Sequence, residues 1–151
     1  MRIYVDTSVF GGYFDPEFEV PTRRLFEMFI RGAARMVLSE LTIGELEDAP
    51  VHVRTLPALV PTQYVENIGA SPAAEALAEL YLQEGIMRPS MHVDALHIAS
   101  AVVARVDVLV SWNFRDMVNL PKIRGYNTIN SRVGYPVLDM RTPAEVIIYG
   151  N

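Results

Sequence analysis

Three short, apolar, β-prone runs constrain this chain most: Ile3–Val5, Met36–Leu38 and Val108–Val110. Each is too short for a helix, and each ends on polar groups: Asp6-Thr7-Ser8, Ser39-Glu40 and Ser111-Trp112-Asn113. Helical signals lie between them. Pro21 precedes Leu25, Phe26, Met28, Phe29 and Ile30, and Gly32 ends that run. Ser39 can cap a helix carrying Leu41, Ile43, Glu45 and Leu46. Ser71-Pro72, with Glu75 in the first turn, starts a helix bearing Leu77, Leu80 and Tyr81 before Gly85. Leu96, Ile98, Ala99, Val102 and Val103 predict another from about Val93 to Ala104. Thr142-Pro143-Ala144-Glu145 repeats the helix-start logic after a strand expected at Pro136–Leu138. Gly11-Gly12 and Asp15-Pro16 are expected to form a loop, and residues 50–64 are broken by prolines. Strands alternating with helices predict an α/β sandwich around a parallel sheet, whose ligands gather beyond the carboxyl ends of the strands.

The 151 residues show no repeat, linker or low-complexity tract, and one domain over 1–151 is expected. Without cysteine, disulfide scaffolds, thiolate zinc sites and cysteine nucleophiles drop out. Carboxylates and three histidines remain as candidate metal ligands. The 13 basic and 18 acidic residues leave a charge of −5, which argues against a protein that coats nucleic acid by bulk electrostatics. The apolar stretch Ala95–Ala104 is interrupted by His97 and falls well short of the roughly 20 residues of a membrane span. The chain opens directly on Arg2-Ile3-Tyr4-Val5-Asp6, so no membrane association and a cytoplasmic location are expected.

Three acids stand where the apolar pattern tolerates charge poorly: Asp6 after the first strand, Glu45 in the helix after the second, and Asp94 at the start of an apolar helix. If the strands are parallel neighbours, these acids and Ser111-Trp112-Asn113 could converge on one sheet edge. Clustered carboxylates repel unless protonated or neutralised, and an all-oxygen set suits Mg²⁺ or Mn²⁺ rather than zinc. Such a site would serve phosphodiester hydrolysis. Plainer readings stand beside this one. Asp6 could cap the next segment, Glu45 could be a solvated helix residue, and Asp94 could simply favour its helix N-terminus. His97, one turn after Asp94, reads as a packed core histidine, and His92 and His52 offer less.

In combination, Tyr4-Val5-Asp6-Thr7-Ser8-Val9, Leu38-Ser39-Glu40-Leu41 through Glu45-Leu46, Asp94-Ala95-Leu96-His97-Ile98-Ala99 and Leu109-Val110-Ser111-Trp112-Asn113-Phe114 resemble the PIN-domain ribonucleases, in particular the VapC-like toxins of toxin–antitoxin pairs. The resemblance implies a three-layer α/β/α fold with a mainly parallel central sheet. It also implies an Mg²⁺- or Mn²⁺-dependent endoribonuclease that leaves a 5′-phosphate and a 3′-hydroxyl. Asp6, Glu45 and Asp94 take the catalytic and metal-holding roles, and Thr7, Ser8 and Ser111 supply supporting hydroxyls. The sequence departs from the pattern at Asn113, where many members carry an acid. Asn113 is then a weak ligand, and Asp116 could compensate if residues 113–116 form a helical turn.

The resemblance further implies a homodimer and a small antitoxin whose tail blocks the acids. Arg115, Lys122, Arg124 and Arg132, near Trp112, Phe114 and Tyr126, form a candidate RNA-binding segment. Phe10, Tyr13, Phe14 and Phe18 could serve the core or a protein contact. Two further readings stay open. One is a catalytically impaired PIN-like module that binds RNA or protein, which Asn113 favours. The other is a phosphatase with Asp6 as nucleophile, which lacks the usual second Asp because position 8 is Ser8.

Overall fold

The computed structural model describes residues 1–149. In chain order the elements are β1 (Arg2–Val5), α1 (Thr7–Gly12), α2 (Glu19–Ile30), β2 (Arg35–Ser39), α3 (Glu40–Glu47), α4 (Val51–Arg54), β3 (Val65–Ile68), α5 (Pro72–Gln83), α6 (His92–Val103), β4 (Val108–Val110), α7 (Leu120–Arg132), β5 (Asp139–Arg141) and α8 (Pro143–Tyr149). The five strands form one sheet in the order β3-β2-β1-β4-β5. Every pairing is parallel, with Tyr4 beside Val37 on one side and Leu109 on the other.

This is the three-layer α/β/α arrangement expected from the sequence. Strand side chains alternate between two cores. Tyr4, Val37, Leu109 and Met140 face a layer built from α5, α6 and α7, with Leu77, Tyr81, Ile98 and Ile129 among its buried residues. Ile3, Val5, Met36, Val108 and Val110 face the opposite layer, where Phe10, Leu25, Phe26, Phe29 and Val146 pack. Each fully buried large apolar side chain is worth about 1.5–3 kcal/mol. No helix among the described residues is long and apolar enough to cross a membrane.

Local chemistry sets the helix starts. The hydroxyls of Ser39 and Ser71 accept from the amides of Thr42 and Ala74, each at 3.3 Å. Thr142 and Glu145 exchange bonds as a capping box, at 3.0 Å from the Thr142 amide and 3.3 Å from the Glu145 amide.

Elsewhere the structure departs from the sequence-based expectation. Gly11-Gly12 lies inside α1 rather than in a loop. Gly12 is a close-approach residue, because a Cβ there would meet Trp112 Nε1 at 2.6 Å. The last strand is Asp139–Arg141 rather than 136–138. It is an edge strand with one buried residue, Met140, so its apolar signal is weak. The other edge strand, β3, also lacks a continuous apolar run.

The order places a topological switch point between β1 and β4. From β1 the chain runs outward to β2, and from β4 it runs the other way to β5. The carboxyl ends of these two strands flank the crevice in which open α/β sheets bind ligands.

Candidate active site

Asp6 sits at this switch point, 5% exposed, as the N-cap of α1. Its Oδ2 accepts from the hydroxyls of Ser8 (2.7 Å) and Ser111 (2.9 Å), and from the Ser8 amide at 3.4 Å. The capping reading of Asp6 is therefore realised, and its side chain also lies at the carboxyl end of β1. Ser8 also accepts from the Trp112 amide at 3.0 Å, and Ser111 from the Asn113 amide at 2.9 Å, so the ends of β1 and β4 are tied together. Oδ1 takes no part in these bonds and lies 3.9 Å from His97 Nε2.

Glu45 enters from α3. Its Oε1 accepts from Thr7 Oγ1 at 2.8 Å and from His97 Nε2 at 2.5 Å. Ionised Glu45 can only accept, so Nε2 carries the hydrogen. On its other side His97 Nδ1 meets Tyr4 OH at 2.7 Å, and Tyr4 OH meets Ser39 Oγ at 2.7 Å. A buried polar chain thus runs from β2 through β1 and α6 to Glu45. Burial pulls the His97 pKa down, yet Glu45, Asp6 and Asp94 outweigh it and hold the imidazole above its ordinary value. The His97 hydrogen bond, aided by Thr7, holds the Glu45 pKa below its ordinary value despite partial burial.

Asp94, in the first turn of α6, is pushed the other way. Burial raises its pKa, and Asp6, Asp116 and Glu45 add repulsion that His97 only partly offsets. Asp94 is thus within electrostatic reach of three other acids, and its Oδ2 accepts from Asn113 Nδ2 at 3.4 Å. Asn113 Oδ1 accepts from the amides of Arg115 (3.2 Å) and Asp116 (3.0 Å), which fixes the side-chain orientation and closes a turn. The nitrogen of Asn113, not its oxygen, therefore faces Asp94. The same turn buries Asp116, with Lys122 Nζ 3.9 Å from its Oδ1.

The crevice thus holds Asp6 and Glu45 against His97, with Asp94 and Asp116 within electrostatic reach, and with Thr7, Ser8 and Ser111 bonded to the first two carboxylates. The proposed RNA segment is not gathered in this way. Lys122 Nζ donates to Ile86 O at 2.7 Å, Arg132 pairs with Glu84, and Tyr126 is buried within α7. Within that segment, Arg115 and Arg124 are the exposed ones with no ion pair among the described residues. Sequence reading missed the position of His97 in the network. Its signal was the three-residue spacing from Asp94, which stacks both on one helix face.

Among the described residues, no group of three or more His, Asp or Glu side chains is placed so that it could hold a metal ion. The donor chemistry nonetheless fits a hard divalent cation. Its oxygens are carboxylate oxygens, among the described residues His97 and Lys122 are the only cationic side chains that pair with them, and the repulsion on Asp94 is only partly offset.

By sequence the chain matches no family model and no curated relative. By structure it is similar to VapC20 of Mycobacterium tuberculosis, a Sarcin-Ricin loop cleaving toxin, with a TM-score of 0.55 over 91% of this chain and 98% of that one at 16% identity. The fold is that of the VapC toxins. It is also similar to VapBC2 of Rickettsia felis bound to a DNA fragment from their promoter, with a TM-score of 0.54, 13% identity, and 93% and 98% coverage. At such identities the VapC likeness carries the fold, and the residue roles rest on the geometry above.

Proposed function

We propose that the chain is a divalent-cation-dependent endoribonuclease and the toxin of a toxin–antitoxin pair. One observation carries the reading: at the β1/β4 switch point Asp6 and Glu45 both approach His97, Asp94 is repelled by Asp6, Asp116 and Glu45, and among the described residues no guanidinium pairs with these acids. The VapC fold supports the same class, since one structural neighbour is a Sarcin-Ricin loop cleaving toxin and the other a VapBC2 complex. An antitoxin partner, a homodimer and a cytoplasmic location belong to this reading.

In this reading Asp6, Asp94 and Asp116 hold Mg²⁺ or Mn²⁺, and Glu45 does so directly or through water. When bound, the ion would polarise the phosphoryl oxygen and lower the pKa of water. The chain's own groups prepare that role. Ser8 and Ser111 occupy Asp6 Oδ2 and leave Oδ1 facing the crevice. Thr7 and His97 likewise occupy Glu45 Oε1, so His97 is a positioning residue for Glu45. Asn113 shapes the turn that brings Asp116 into play, which weakens the case that Asn113 marks an inactive binding module.

The test is cleavage of RNA by the purified protein in Mn²⁺. The reading expects cutting that EDTA stops and that Asp6→Asn or Asp94→Asn abolishes. Uncut RNA with wild type, or equal cutting by Asp94→Asn, overturns it.

A further inference from the structure

We propose that Phe18, Trp112 and Phe114, with Arg115 beside them, form a stacking platform that receives an unpaired nucleobase of the substrate next to the acidic crevice. The substrate class rests on the nuclease reading above; the platform itself rests on separate observations.

Trp112 directly follows Ser111, whose hydroxyl touches Asp6. Its indole is clamped on three sides. Nε1 donates to Thr22 Oγ1 at 3.0 Å, Phe18 stacks on the ring at 4.2 Å and 22°, and Gly12 lies so close that any Cβ would collide. Phe114 lies 6.1 Å from the Trp112 ring and 6.2 Å from Phe18, and is 53% exposed. In sequence Asn113 separates Trp112 from Phe114, and it donates to Asp94. An exposed aromatic surface on a rigid base therefore begins one residue from a group that touches the acids.

The flanks decide what this surface meets. Around α3, a separate groove of about 440 Å³ that these rings do not line carries Glu40, Glu45, Asp48 and Glu75, which repel a phosphate backbone. After Phe114 the next residue in sequence is Arg115, an exposed arginine with no ion pair among the described residues. An exposed aromatic ring followed in sequence by an unpaired arginine suits the alternating bases and phosphates of a single strand. A base locked in a duplex cannot splay out to stack, so the platform selects unpaired RNA.

Trp112 is the chain's sole tryptophan and reports directly on this surface. The intact protein in EDTA is titrated with a short single-stranded RNA and with the same sequence as a blunt duplex. Trp112 fluorescence and the anisotropy of labelled RNA are followed together. The single strand is expected to quench Trp112 and the duplex to leave it unchanged. Phe114→Ala and Phe114→Leu should weaken single-strand binding about ten-fold, and Phe114→Tyr should retain it, because stacking needs a ring rather than apolar bulk.

Equal binding of strand and duplex, or wild-type binding by Phe114→Leu, overturns the platform. So does a Phe114→Ala change confined to oligomeric state in sedimentation, which would make the face a protein contact. Cleavage in Mn²⁺ is scored separately. RNA cut equally by wild type and Phe114→Ala overturns the platform and leaves the nuclease reading standing. RNA that quenches Trp112 in a ring-dependent way but is never cut supports the platform and overturns that reading.

Discussion

The two ends of the β-sheet treat charge in opposite ways. At the amino end Arg2 donates to both Glu66 oxygens, at 3.0 and 2.5 Å, and to the carbonyls of Ala104 and Arg105. Its backbone amide donates to Asp107 at 2.7 Å. The Glu66 pKa falls because of the Arg2 hydrogen bond. At the carboxyl end four acids share His97 and Lys122 as their nearby cationic side chains, and the Asp94 pKa rises. The first arrangement ties β1 to β3 and to the entry of β4. The second leaves charge unneutralised at a ligand-binding crevice, which costs folding energy and is explained if the acids serve a bound cation.

Variants at the two ends should therefore behave differently. The largest effect is expected for Asp94→Asn, with RNA cleavage in Mn²⁺ reduced about a thousand-fold. In EDTA the same variant should melt about 2 °C higher than wild type by calorimetry, because repulsion is relieved while a helix-favouring charge is lost. A lower Tm would show that the acids are not in conflict.

His97→Ala is next. It leaves Tyr4 OH without its imidazole partner and frees Glu45, so we expect a loss of about 2–3 kcal/mol in urea unfolding. His97→Gln keeps a donor for Glu45 and should recover part of the stability and of the Mn²⁺ affinity, which His97→Ala lowers about ten-fold.

At the opposite end, Arg2→Ala should cost about 1 kcal/mol of stability and leave cleavage per folded molecule unchanged. A large loss of activity there would break the contrast between the two ends.

The smallest effect is a pH slope. A histidine whose folded pKa is raised contributes stability that is fully present below its unfolded pKa of about 6.5 and is lost as pH rises through the folded value. The Tm in EDTA should therefore drift downward as pH rises from about 6.5, and His97→Gln should flatten the drift.

What the sequence made legible follows from burial. Strands β1, β2 and β4 are the central strands and read as apolar runs, whereas β3 and β5 are edge strands whose residues are only partly buried. Helix α7 was read only as a basic stretch, since its apolar face is thin: Tyr126 and Ile129 are its buried hydrophobics. Asp6, Glu45 and Asp94 stood out because each breaks an apolar pattern at a strand end or helix start. His97 did not, because it belongs to the core by burial, at 1% exposure, and its partners Tyr4 and Glu45 come from distant segments. The partners of Lys122 and Arg132 were illegible for a similar reason, since Ile86 and Glu84 lie just beyond α5.

The most direct test of the contrast is Mn²⁺ binding to the folded protein, measured by electron paramagnetic resonance for wild type and Asp94→Asn. The account predicts saturable binding to wild type that weakens at least about ten-fold in the variant. Equal binding by the two proteins, or none by wild type, would contradict it.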